Sequence, residues 1–241
     1  ALSYRNIVYH NKGNQQELLD THLQLRSLAE KQKHQFRFHR WNADVASIYQ
    51  SLGDWDRALD YYFRGPMNRE VYTNISDLYL TIDQLDSAAH YLQVALNMPK
   101  EKGSIGYTWE SNQLDGQLLL LAAEIYSRDN KPDLAVHYYT RASRWFLKNQ
   151  FSQNEADSYR GWAGHYLREN LLPEAKEKII QSIKLHQAFG LQQNSKLSEA
   201  YCLLGQIEER NNKFQAALNK YMLGVQALCL IPQTNLPEAH A

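Results

Sequence analysis

Residues 46–62 read Ala46-x-x-Tyr49-x-x-Leu52-Gly53-Asp54-Trp55-x-x-Ala58-x-x-x-Tyr62, and this stretch decides the fold. A small residue and an aromatic three later share one helical face. A short polar break follows, and a second helix then opens with an alanine on its inner face and a large residue one turn on. Antiparallel helices approach closely only where one side is small. The alanine therefore provides a notch, and the first-helix tyrosine is expected to pack over it.

The same spelling recurs along the chain. Ser76, Tyr79, Ala88 and Leu92 repeat it, as do Ala123, Tyr126, Ala135 and Tyr139. Ala163, Tyr166, Ala175 and Ile179 follow, then Gly205, Glu208, Ala217 and Tyr221, and a looser copy opens the chain at Asn6, Tyr9 and Leu18. In each copy the small residue and the alanine position are 12 apart. One offset held through six copies marks an array of helical hairpins. Asp54, Asn130 and Asn170 are predicted helix caps, Pro132 and Pro173 suit a first turn, and Ser152-x-x-Glu155 spells a capping box.

These residues resemble the tetratricopeptide repeat family, a helix-turn-helix of about 34 residues with small and aromatic positions in this order. The resemblance covers 1–231 and implies an all-α, right-handed superhelical solenoid of about six repeats: 1–33, 37–65, 67–99, 107–149, 152–190 and 194–231. Residues 232–241 read as a tail or linker. The anchor positions 18, 58, 88, 135, 175 and 217 are separated by 40, 30, 47, 40 and 42 residues, so most units are longer than the family's. Such long units resemble those of bacterial signalling and transcriptional regulators. Gly65-Pro66 shortens the second repeat, because proline cannot continue a helix. A loop through Met98-Pro99 to Gly106, followed by a long helix over 107–127, accounts for the spacing of 47. The expected solenoid is kinked near residue 65 and carries a projecting loop near 103.

Composition excludes several other classes. With 26 Lys+Arg against 26 Asp+Glu, the chain lacks the positive field of a general nucleic-acid binder. A hydrophobic share of 44% among 241 residues permits a real core and argues against disorder. No apolar run is long enough to span a bilayer, and no helix carries a basic amphipathic stripe. The opening Ala1, without a signal pattern, reads as a piece of something longer or processed.

Catalytic spellings are missing. The sequence contains no His-Glu-x-x-His, Cys-x-x-Cys or Gly-x-Ser-x-Gly. Gly103-Ser104-Ile105-Gly106 lacks the lysine and length of a phosphate loop and reads as a turn. His34 and His39 do not share a helical face, so the scattered histidines read as solvated residues. Cys202 and Cys229 read as buried free thiols. Trp55 belongs to the repeat core; Trp109, Trp145 and Trp162 fall off the pattern and are either packing residues or exposed anchors.

In arrays of this family the first helix of each hairpin lines the concave surface. The row two before the repeat tyrosine holds Ser47, Asp77, Glu124, Gly164 and Gln206, and the row two after it holds Ser51, Thr81, Arg128, Arg168 and Arg210. Arg160 shares a helix face with Gly164. Guanidinium groups suit carboxylates or phosphates, so Asp77, Glu124, Arg128, Arg160, Arg168, Gln206 and Arg210 are the candidate binding residues. The competing reading has the arginines complementing helix C-termini. The lysine and asparagine clamp that some members use for chaperone tails is absent: its places hold Ser3, Ile7, Ala43, Ser47, Thr73 and Asp77.

The resemblance implies a non-enzymatic protein-interaction scaffold, the sensor or assembly part of a larger bacterial regulator, with a peptide or protein segment in its groove. A ligand-sensing module for a short acidic peptide or small effector is the alternative. No cofactor or metal is expected, nor nucleic acid or membrane binding by this segment; a homodimer is left open. Cytoplasmic location is the default, and a periplasmic fragment stripped of its signal would read the same.

Overall fold

The computed structural model describes residues 15–99, 108–188 and 194–229. Among them are eleven helices and no strand: α1 Gln15–Lys31, α2 Gln35–Ser51, α3 Trp55–Phe63, α4 Arg69–Thr81, α5 Leu85–Asn97, α6 Thr108–Arg128, α7 Pro132–Lys148, α8 Ser152–Arg168, α9 Leu172–Ala188, α10 Asn194–Arg210 and α11 Phe214–Cys229. The chain forms two compact units, Ala1–Lys102 with α1–α5 and Gly103–Ala241 with α6–α11. Within each, successive helices pack on one another as antiparallel hairpins, so each unit is an all-α helical-repeat solenoid. The first half of the opening repeat, the loop around 103–106 and the tail 232–241 lie outside the described residues.

Backbone hydrogen bonds explain the offset of twelve. After Tyr49 the helix ends at Gly53, whose φ of 76° is left-handed. The next N–H, of Asp54, reaches back to the Tyr49 carbonyl at 2.9 Å, and the Asp54 carbonyl accepts from Ala58 N–H at 3.0 Å. This is a Schellman closure whose last residue also opens the next helix. Gln84, Lys131, Leu171 and Lys213 repeat both bonds, back to Tyr79, Tyr126, Tyr166 and Glu208 and forward to Ala88, Ala135, Ala175 and Ala217. One helical turn, one Schellman reach and one helical bond thus carry the small residue to its alanine.

Each break requires one left-handed residue: Asp83, Asn130, Asn170 and Asn212 stand where Gly53 does. A non-glycine there costs roughly 1–2 kcal/mol, least for asparagine and aspartate. Asn130 and Asn170 are therefore helix-ending residues, not the caps expected from sequence. Asp54 does cap α3, accepting from Arg57 N–H at 3.2 Å. The Ser152 capping box does not form: Phe151 is the cap residue of α8, and it makes no side-chain cap bond. Pro132 sits in the first turn of α7, and α3 stops at Phe63, just before Gly65-Pro66.

Ala46, Ser76, Ala123 and Ala163 are fully buried, as are Ala58, Ala88, Ala135 and Ala175, and Ser76 Oγ donates to the Ala88 carbonyl at 2.7 Å. Small meets small, and the backbones close up. Tyr49, Tyr126 and Tyr166 pack in the clusters that hold Ala58, Ala135 and Ala175. Rings also stack three residues beyond the alanine: Tyr49 on Tyr61, Tyr79 on Tyr91 and Tyr126 on Tyr138, with centroids 5.3–5.4 Å apart. In the next hairpin Lys178 takes that place and lies 4.7 Å over the Trp162 ring. Trp145 stacks on Phe151 and Trp162 on Tyr139, so both tryptophans are packing residues; the Trp109 side chain lies outside the described residues.

Candidate functional site

In the C-terminal unit the first helices α6, α8 and α10 line one cavity of about 490 Å³. Glu124 and Arg128 come from α6, Arg160, Gly161, Gly164 and Arg168 from α8, and Glu199, Cys202, Leu203 and Gln206 from α10, with Tyr139 of α7 reaching in. Five of the seven candidates named from the sequence are therefore together. The other two lie elsewhere. Arg210 donates from Nη1 to the Leu167 carbonyl at 2.5 Å, satisfying the C-terminal turn of α8, as the dipole reading has it. Asp77 belongs to the N-terminal unit and accepts from Gln50 Nε2 at 3.0 Å.

Two glycines shape the cavity. A Cβ on Gly161 would stand 3.1 Å from Tyr139 Cε1, so a larger residue there would need the ring to shift by a few tenths of an ångström. At Gly164 the nearest atom to a Cβ is Arg168 Nη1 at 3.8 Å, which leaves the wall open. The Tyr139 hydroxyl is buried and meets no hydrogen-bond partner in the protein. Burial pushes its pKa well up, the Glu124 charge adds to this, and Arg168, Arg128 and Arg160 oppose it. The group stays protonated and is a donor.

Arg168 is oriented from below. Its Nη2 donates to Ser127 Oγ at 2.5 Å, and Ser127 Oγ lies 2.7 Å from His165 Nδ1. The Ser127 hydroxyl thus ties the Arg168 guanidinium to the His165 ring. Burial pushes His165 below the usual histidine value, Glu169 opposes this and Arg168 reinforces it. Arg160 bridges α8 and α10, with Nη1 3.1 Å from Glu199 Oε2 and Nη2 3.4 Å from Asp157 Oδ1. Three arginines, one tyrosine hydroxyl and the Gln206 amide thus face two glutamates, a set suited to a carboxylate with hydrogen-bonding neighbours.

Sequence reasoning missed Tyr139, Gly161, Glu199, Cys202 and Leu203. Cys202 stands six before Glu208, as Arg160 stands six before Tyr166, so that row carried a signal. It is a half-buried free thiol, not the buried one expected; the Cys229 side chain lies outside the described residues. Histidines also departed from expectation: His22, His165 and His186 are buried, while His34 caps α2. Among the described residues no group of three or more His, Cys, Asp or Glu could hold a metal, and no helix is long and apolar enough to cross a membrane.

Residues 44–66 match the tetratricopeptide repeat family. No curated protein matches the chain. Among solved structures it is similar to BtubC (BKLC) from P. vanneervenii, at 16% identity and a TM-score of 0.66 over 94% of this chain and 96% of that one. It is also similar to the APC/C hetero-tetramer Cut9–Hcn1, at 14% identity and a TM-score of 0.68 over 92% of this chain and 38% of that one. The apo form of the quorum sensor NprR from B. thuringiensis matches at 16% identity and a TM-score of 0.60, over 93% and 74%. At such identities the likeness is one of fold.

Proposed function

We propose that this chain, a tetratricopeptide-repeat protein, is a non-enzymatic interaction scaffold that holds an acidic segment of a protein partner in the α6–α8–α10 groove. The observation that carries this reading is convergence: side chains from three consecutive hairpins surround one cavity whose buried wall presents an unpartnered Tyr139 hydroxyl. A volume of about 490 Å³ lies within the range of ligand pockets and takes a few residues of a peptide. Arg128 and Arg168 supply charge, and Gln206 and Tyr139 supply neutral hydrogen bonds. Anchor spacings of 40 and 42 residues in this region support a role as the sensing or assembly part of a larger regulator.

Calorimetric titration with a peptide rich in Asp and Glu tests the groove. Arg168→Ala and Arg128→Ala are each expected to weaken binding about tenfold, the loss of one charge-assisted bond. Equal affinity in both variants, or for the same peptide with Gln and Asn replacing its acids, contradicts the reading.

A further inference from the structure

Helix α11, the last of the described helices, carries a row of exposed apolar side chains. Phe214, Leu218, Met222, Val225 and Leu228 of α11 are 65, 52, 53, 60 and 45% exposed. At helical spacing they fall within an arc of about 120°. The remaining exposed residues described on α11 are Gln215, Asn219 and Gln226. No charged side chain stands on that exposed face, which is unusual for a helix meeting water.

The earlier hairpins of the same unit show what such a face does. Eight and eleven residues after the repeat alanine, α7 places Ser143 and Phe146, exposed 6% and 0%, and α9 places Ile183 and His186, exposed 7% and 0%. Helix α8 packs against α7, and α10 against α9. The same positions on α11 are Val225 and Leu228. Val225 and Leu228 thus occupy positions that dock the next helix in the earlier hairpins, and on α11 they are exposed.

We propose that a second copy of this chain covers this stripe, α11 against α11 in antiparallel fashion. The stripe is nearly palindromic about the Tyr221–Met222 peptide. A two-fold axis there sets Phe214 against Leu228 and Leu218 against Val225, with Met222 of each copy at the centre. A charge-free face brings no like charges together, and the flanking amides supply a polar rim. Each copy offers roughly 500 Å², so the pair reaches the ~1,000 Å² that a specific interface needs. The surface is separate from the groove and stands or falls independently of it.

Sedimentation velocity at about 100 µM tests this, with circular dichroism on every variant. The wild-type chain is expected to sediment as a dimer. The exposed double substitution Leu218→Glu with Val225→Glu is expected to be a helical monomer, its dimer weakened at least ~100-fold. A second variant guards against misfolding: Met222→Cys, with Cys202→Ser and Cys229→Ser, is expected to form an intermolecular disulfide on mild oxidation. A monomeric wild-type chain overturns the proposal, whether residues 230–241 or a foreign helix covers the stripe. So does a dimer that survives the two glutamates, or a Met222→Cys chain that does not cross-link.

Discussion

The two units share one hairpin core, and two hairpins of the N-terminal unit have second helices that run less far beyond it. In the N-terminal unit the second helices α1, α3 and α5 have 17, 9 and 13 residues; in the C-terminal unit α7, α9 and α11 have 17, 17 and 16. Only the longer helices possess a position eleven after the repeat alanine, and Phe146 and His186 fill it with fully buried side chains. The first helices differ as well. Ser51 and Thr81 turn their hydroxyls onto the Ile48 and Asp77 carbonyls of their own helices, where Arg128 and Arg168 line a cavity. One backbone closure can thus carry either a plain hairpin or a hairpin with an added docking layer.

The largest effect should come from removing that layer. Phe146→Ala is expected to cost about 3–5 kcal/mol and to speed amide exchange in α6–α8 while leaving α1–α5 unchanged; uniform acceleration would erase the distinction between the units. Gly116→Ala comes next. A Cβ there would overlap the rings of Phe146 and Trp145, and overpacking of about 1–3 kcal/mol exceeds the ~1 kcal/mol gain in helix propensity. Thermal denaturation should register a fall of a few degrees.

Acid should then separate the units further. Burial holds His165 and His186 below the usual histidine range. Below about pH 6.5 the unfolded chain takes protons that the folded rings resist, so stability falls as pH falls, by at most ~1.4 kcal/mol per pH unit for each ring. Denaturant titrations should find a flatter slope in the double variant His165→Gln, His186→Gln; an unchanged slope would remove the two rings as its cause. The smallest change is Arg210→Ala. It should cost about 0.5–1.5 kcal/mol, the bond to the Leu167 carbonyl, and leave affinity for an acidic peptide intact, unlike Arg168→Ala.

Much of this architecture was legible in the residues. The twelve-residue offset is written in backbone bonds from Tyr49 to Asp54 to Ala58, so a pattern search finds it. Row counting located Glu124, Arg128, Arg160, Arg168 and Gln206 because helical periodicity sets which residues share a face. It failed at Arg210, where a helix-end carbonyl within reach wins over the groove, and at Tyr139, which reaches the cavity from a second helix through the gap at Gly161. Such a contact joins residues on different hairpins, and periodicity along one helix does not encode it. The asparagines at 130 and 170 misled for a related reason, since the same residue type favours caps and left-handed turns alike.

The most direct test of the groove is hydrogen exchange of the whole chain with and without a saturating acidic peptide. Protection concentrated in α6, α8 and α10, with α1–α5 unaffected, is the predicted result. Protection confined to α1–α5, or to α7, α9 and α11, would contradict the claim that three successive first helices form the binding surface.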